Sequence, residues 1–132
     1  MNIATLRVEG EEPALSALTA TLPGRADTQW LKGERGRNGV VYALSGFNVT
    51  VAEAPNPRAL VSELRKFLTQ CKERKLDFRK GLTVELSIGF TVGDSQQFVA
   101  SVDFSPADLS ALGACGIALS VAAYPTSDEA NE

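Results

Sequence analysis

The 132-residue sequence contains no histidine. This removes the commonest general base and the commonest metal ligand, and with them serine and cysteine triads of the familiar kind. Cysteine is scarce. Cys71 and Cys115 lie far apart, neither in a CxxC pair, so a zinc site and a disulfide framework are both excluded as expectations. No phosphate-binding loop of the GxxxxGK[ST] type and no GxGxxG following a strand occurs. Long apolar runs are also missing. The most apolar stretch, Leu109 to Tyr124, is interrupted by Ser110, Gly113, Gly116 and Ser120 and is too short to cross a bilayer. The first residues, Met1-Asn2-Ile3-Ala4-Thr5, show no basic and apolar leader pattern. The expectations are therefore no cofactor, no metal, no catalytic residue, no membrane partner and a cytoplasmic location.

What is present is an ordinary globular balance, 44% hydrophobic and 22% charged, which disordered, coiled-coil and collagen-like chains do not show. The length suits one domain. The net charge of −3 argues against a nucleic-acid partner. Charge is unevenly spread. Of thirteen bases and sixteen acids, seven bases and two acids fall between Arg65 and Lys80, leaving six bases against fourteen acids elsewhere. That segment reads either as a solvated helix face and loop or as an electropositive patch.

Alternation of Ala4, Leu6 and Val8 with Thr5, Arg7 and Glu9 predicts a half-buried strand ending at Gly10. Pro13 opens a helix with Leu15, Leu18 and Leu22 on one face, stopped by Pro23-Gly24. Thr28 to Leu31 is a weak strand, and Gly33 to Gly39 a turn or mobile loop. Val40 to Glu53 reads as one long strand or two, bulged at Gly46. Asn56 and Pro57 start the clearest helix, with Leu60, Leu64, Phe67, Leu68 and Cys71 in one stripe, fading near Lys75. Leu82 to Val92 alternates without error. Phe98 to Phe104 alternates after Gly93-Asp94-Ser95, which predicts an antiparallel hairpin. Ser105-Pro106-Ala107-Asp108 fits a capping box before a short helix, and Ile117 to Ala123 forms a last strand. The expected order is β-α-β-β-α-β-β-α-β. It implies a two-layer α+β domain over 1–125, mainly an antiparallel sheet with helices on one face, and a polar tail over 126–132.

Several groups qualify for partner contact: Trp30, Glu34, Arg35 and Arg37 around the glycine-rich loop, Arg74, Lys75 and Arg79 in the basic segment, and Glu85 and Asp103 on facing strands. Each also has a structural reading, as a core anchor or a solvated charge.

A set of features resembles a bacterial family of unknown function. They are the strand ending in Gly10 before a Pro13-started helix, the segment Trp30-Leu31-Lys32-Gly33-Glu34, Phe104-Ser105-Pro106 with Leu109 and Leu112, and a final strand closing on Tyr124. The family consists of small cytoplasmic α+β proteins met beside polymorphic toxin genes and regarded as immunity proteins. The resemblance implies a protein that binds a cognate toxin and occludes its active site, with no catalytic residue to transfer. Two other readings stand beside it. One is a structural or adaptor module that self-associates through an open sheet face or edge strand, as monomer or homodimer. The other is a small-ligand protein or enzyme using Cys71, Cys115, Asp103 or Glu85.

Overall fold

The computed structural model describes residues 1–24 and 26–129. Strands β1 (Asn2–Gly10), β2 (Thr28–Trp30), β3 (Ser45–Glu53), β4 (Leu82–Val92) and β5 (Ile117–Pro125) form one sheet in the order β2-β3-β1-β4-β5. Three helices, α1 (Glu12–Thr19), α2 (Pro57–Glu73) and α3 (Pro106–Cys115), complete an α+β fold. All neighbouring strands are antiparallel except β4 and β5, which run parallel through α3.

The period-two pattern of β1 and β4 decides which face is dry. Ala4, Leu6 and Val8 lie beside Ile88, Leu86 and Val84 respectively, and all are buried. They join one core with Leu15 and Leu18 of α1, Leu60, Leu64, Phe67 and Cys71 of α2, and Leu112 of α3. Each buried Val, Leu, Ile or Phe among them contributes about 1.5–3 kcal/mol relative to exposure. The opposite face carries Arg7, Glu85 and Ser87.

The helix starts follow their cap chemistry. Asn56 Oδ1 accepts from Ala59 N at 2.8 Å. The capping box at α3 is reciprocal: Asp108 N donates to Ser105 Oγ at 3.1 Å, and Ser105 N donates to Asp108 Oδ2 at 2.8 Å. Arg65 of α2 also donates to both Asp108 oxygens, which ties α2 to α3. The Arg65 hydrogen bonds, then the Ser105 N–H, hold the Asp108 carboxyl down at about 2, against the smaller opposing effect of burial. A carboxylate with a lowered pKa stabilises the fold above its unfolded value near 4, and the contribution fades as pH falls toward 2. We therefore expect Asp108→Ala to cost about 2 kcal/mol at pH 7. The gap from the parent in urea midpoint should narrow between pH 4 and pH 2. A gap that does not change with pH would show that the charge is irrelevant.

Three expectations are corrected. Phe98 to Phe104 is not a strand. The Asp94 carboxylate accepts from Gln96 N and Gln97 N and turns the chain, and β4 already has β1 and β5 on its two sides. The alternation is real but lays Ala100, Val102 and Phe104 against the core from an irregular segment, leaving Phe98 and Val99 exposed. The order thus loses one strand, and Asp103 and Glu85 do not face each other. Residues 40–44 stand outside the sheet, so β3 starts at Ser45. The register shift falls between Ala4 and Thr5, opposite Val51, and not at Gly46. The C-terminal segment is tied down as far as it is described: Thr126 N donates to Val92 O, and Asp128 accepts from Ser95 N and Oγ. The rest of the expected tail, 130–132, lies outside the described residues. Among the described residues, no helix is long and apolar enough to cross a membrane.

Candidate functional site

Strand register defines one end of the domain. Gly10 pairs with Ser45 and with Leu82, Trp30 pairs with Gly46, and Val84 pairs with Ile117. The connection 31–44 leaves and re-enters the sheet at this end. The connection 74–81 from α2 to β4 also arrives there. Two groups of residues distant in sequence are thereby brought to one pole: Trp30 at the end of β2 with Glu34, Arg35 and Arg37 from the first connection, and Arg74, Lys75 and Arg79 from the second. Lys32, Lys72 and Lys80 add to them. Against these cations stand Glu11, Glu12, Glu34, Glu73 and Asp77, so the pole is net positive in a chain of net charge −3.

The 31–44 connection is a laced hairpin. Gly33 N donates to Tyr42 O at 2.9 Å, Tyr42 N to Glu34 O at 2.9 Å and Gly36 N to Val40 O at 2.8 Å. Arg35 and Val41 form a β-bridge. Gly39 takes a positive φ of 78° at the tip, and Asn38 Oδ1 accepts from Val40 N. The Asn38-Gly39 pair was the available signal for this hairpin. It was masked because no apolar alternation flanks it. Leu31, Val40 and Val41 are exposed on the hairpin, and sequence reasoning did not single them out.

Trp30 anchors the hairpin base. It is only 7% exposed, and its indole N–H donates to Leu44 O at 3.1 Å. Tyr42 stacks on the ring at 5.2 Å between centroids, and the Arg7 guanidinium lies 4.7 Å from the ring centroid. Arg7 is held in turn by Glu9 at 2.6 Å. Such stacking and cation–π contacts fix the ring through its quadrupole. Trp30 therefore positions the neighbouring surface and presents little of itself.

Arg74 Nη1 donates to Thr21 O at 3.1 Å. Lys75 takes a positive φ of 56° just past α2 and lines a groove of about 770 Å³ between α2 and α3. Leu68, Ala107, Ala111 and Cys115 form the apolar part of that groove. Arg79 pairs with Asp77 at 3.0 Å; this hydrogen bond lowers the Asp77 pKa and raises that of Arg79. Glu85 sits on the helix-free face beside Arg7, three residues along β4 from Leu82 at the pole. Asp103 lies in the irregular segment beside the start of α2, with Arg58 and Arg65, away from the other eight.

The thiols are not poised for chemistry. Burial pushes the Cys71 thiol up to about 12, and burial followed by the Asp77 charge raises that of Cys115. A thiol held protonated at neutral pH is a poor nucleophile. Among the described residues, no three His, Cys, Asp or Glu side chains converge as a metal would need. The arrangement offers shape, apolar anchors and charge. No protein-family model matches the chain, and no curated protein matches it.

Proposed function

We propose that this chain is a binding protein of the immunity type, which docks its positive pole on an acidic surface of a cognate toxin protein and thereby blocks that toxin's active site. The observation that carries this reading is the hairpin 31–44. It exposes Leu31, Val40 and Val41 beside Arg35 and Arg37 while Trp30 and Tyr42 hold its base. Apolar anchors mixed with arginine are the composition of a protein-binding patch. Pre-organisation lowers the entropy lost on docking. The cations also steer encounter with an anionic partner, more strongly at low salt.

Co-expression with the product of the adjacent gene, as the candidate toxin, tests this. The parent protein should protect cells and form an equimolar complex. The double variant Val40→Asp, Val41→Asp should fold normally, lose at least about 30-fold in affinity and fail to protect. Equal protection by the variant, or no complex with the parent, would overturn the reading.

A further inference from the structure

Strand β5 ends the sheet on one side, and β2 ends it on the other. The two edges are built differently. β2 is three residues long, a short edge that offers little to a passing strand. β5 is nine residues long, IALSVAAYP, with no charged residue, no register shift against β4 and its proline only at the last position. Exposed edges of this length usually carry a lysine, an inward charge, a bulge or a covering element. Among the described residues, none of these guards β5.

Its side chains are also partly uncovered. Leu119 and Val121 align with the buried Leu86 and Ile88, so they point to the helix side of the sheet. They nevertheless remain 37% and 47% exposed, although α3 packs on β5. On α3, Ala107, Ala111 and Ala114 face α2 across the groove. Leu109 falls on the opposite flank by helical periodicity and is exposed there. Leu109, Leu119 and Val121 therefore form an apolar margin along the β5 edge. Tyr124 adds an exposed ring on the other face.

We infer that the β5 edge is a homodimer interface, where a second copy of this chain adds its own β5 antiparallel about a two-fold axis at Val121. The strand is self-complementary in that register. Leu119 meets Ala123 of the second copy, Ala118 meets Tyr124, and Ser120 meets Ala122, so a large residue faces a small one on both faces. An uncharged strand does not repel its own copy, although the chain as a whole carries net charge. A two-fold pairing closes on itself and leaves only the short β2 edges free. Nine residues span about 30 Å, and a sheet plus one helix layer stands about 20 Å high, so the footprint is on the order of 600 Å² per chain. That is the low end of stable interfaces and suits a micromolar dimer. The 31–44 hairpin leaves the sheet at its β2–β3 side, the side away from β5, so both copies keep it free.

Sedimentation equilibrium across the micromolar range, with circular dichroism as the folding control, tests this. The parent chain should reach twice its 14.0 kDa mass near 100 µM. Val121→Lys and Leu119→Lys place a charge on the edge at sites already exposed. Each should remain folded and raise the dissociation constant at least tenfold. Val99→Lys, on the irregular segment, and the hairpin variant Val40→Asp should dimerise as the parent does. A parent chain that stays monomeric at 100 µM would overturn the inference. So would folded lysine variants that dimerise undiminished, or assemblies that grow past a dimer.

Discussion

Replacing Phe78 by alanine should cost about 3–5 kcal/mol and lower the thermal midpoint by about 10–20 °C. Phe78 is the largest fully buried side chain, with 0% exposure, although it sits in the basic connection between α2 and β4. Its backbone N–H donates to Cys115 O at 3.3 Å, and Leu76 N donates to Cys71 O at 2.9 Å. The connection is thus pinned at both sides of the ring. Asp77 and Arg79 flank it on the surface, and Arg79 donates from both its backbone N–H and Nε to Asp77 Oδ1. One residue in three turns inward and its neighbours clasp outside. Alanine would leave a cavity under the joint of α2, α3 and β5, where rigid elements cannot collapse to fill it. Phe78→Leu keeps most of the volume and should cost less than about 1.5 kcal/mol. Chemical denaturation of both variants checks this. Equal and small losses would show that the site relaxes freely. Because the same connection carries Lys75 and Arg79, Phe78→Ala should also weaken the proposed toxin binding beyond its effect on stability.

The second large effect belongs to Gly46. A Cβ there would press on the Val8 carbonyl oxygen and on the Trp30 ring, closer than real Cβ atoms come. The backbone oxygen can shift only by disturbing the β1–β3 ladder, and the indole must shift as well. Displacing it breaks the bond to Leu44 O, the Tyr42 stack and the Arg7 contact together. Gly46→Ala should therefore cost about 3 kcal/mol or more. Trp30 is the one tryptophan in the chain, so its fluorescence reports the displacement directly, as a red shift in the folded state. Gly113→Ala is the matched control. A Cβ there meets nothing within 4 Å inside α3, and the change should stabilise by about 0.5–1 kcal/mol. A silent Gly46→Ala would mean that the hairpin base is looser than these contacts imply.

Both predictions mark how far local pattern reaches. The stripe of α2, the alternation of β1 and β4, the Asn56 cap and the Ser105–Asp108 box were legible because each is decided within a few residues. Phe78 was not, since a single apolar residue among charges has no period to reveal it. The segment 98–104 was misread because alternation reports half-burial and says nothing of a partner strand. The place beside β4 went to β5, which arrives through a helix, and sequence order does not state that.

The candidate site divides along the same line. Arg35, Arg37, Arg74, Lys75 and Arg79 were identifiable as charges, and their meeting at one pole follows only from strand register. Val40 and Val41 looked like the start of a strand because β-branched residues suit one. Their exposure comes from the Asn38-Gly39 turn, which folds them back outside the sheet. Asp103 went elsewhere because its presumed strand does not exist.

Hydrogen exchange of the free protein and of its mixture with the proposed toxin partner tests the proposed docking surface most directly. Amides of 31–44 and 72–80 should slow together when the toxin is added, while those near Asp103 and along β5 keep their free-protein rates. Slowing confined to the Asp103 end or the open sheet face, with the positive pole exchanging as before, would contradict the account.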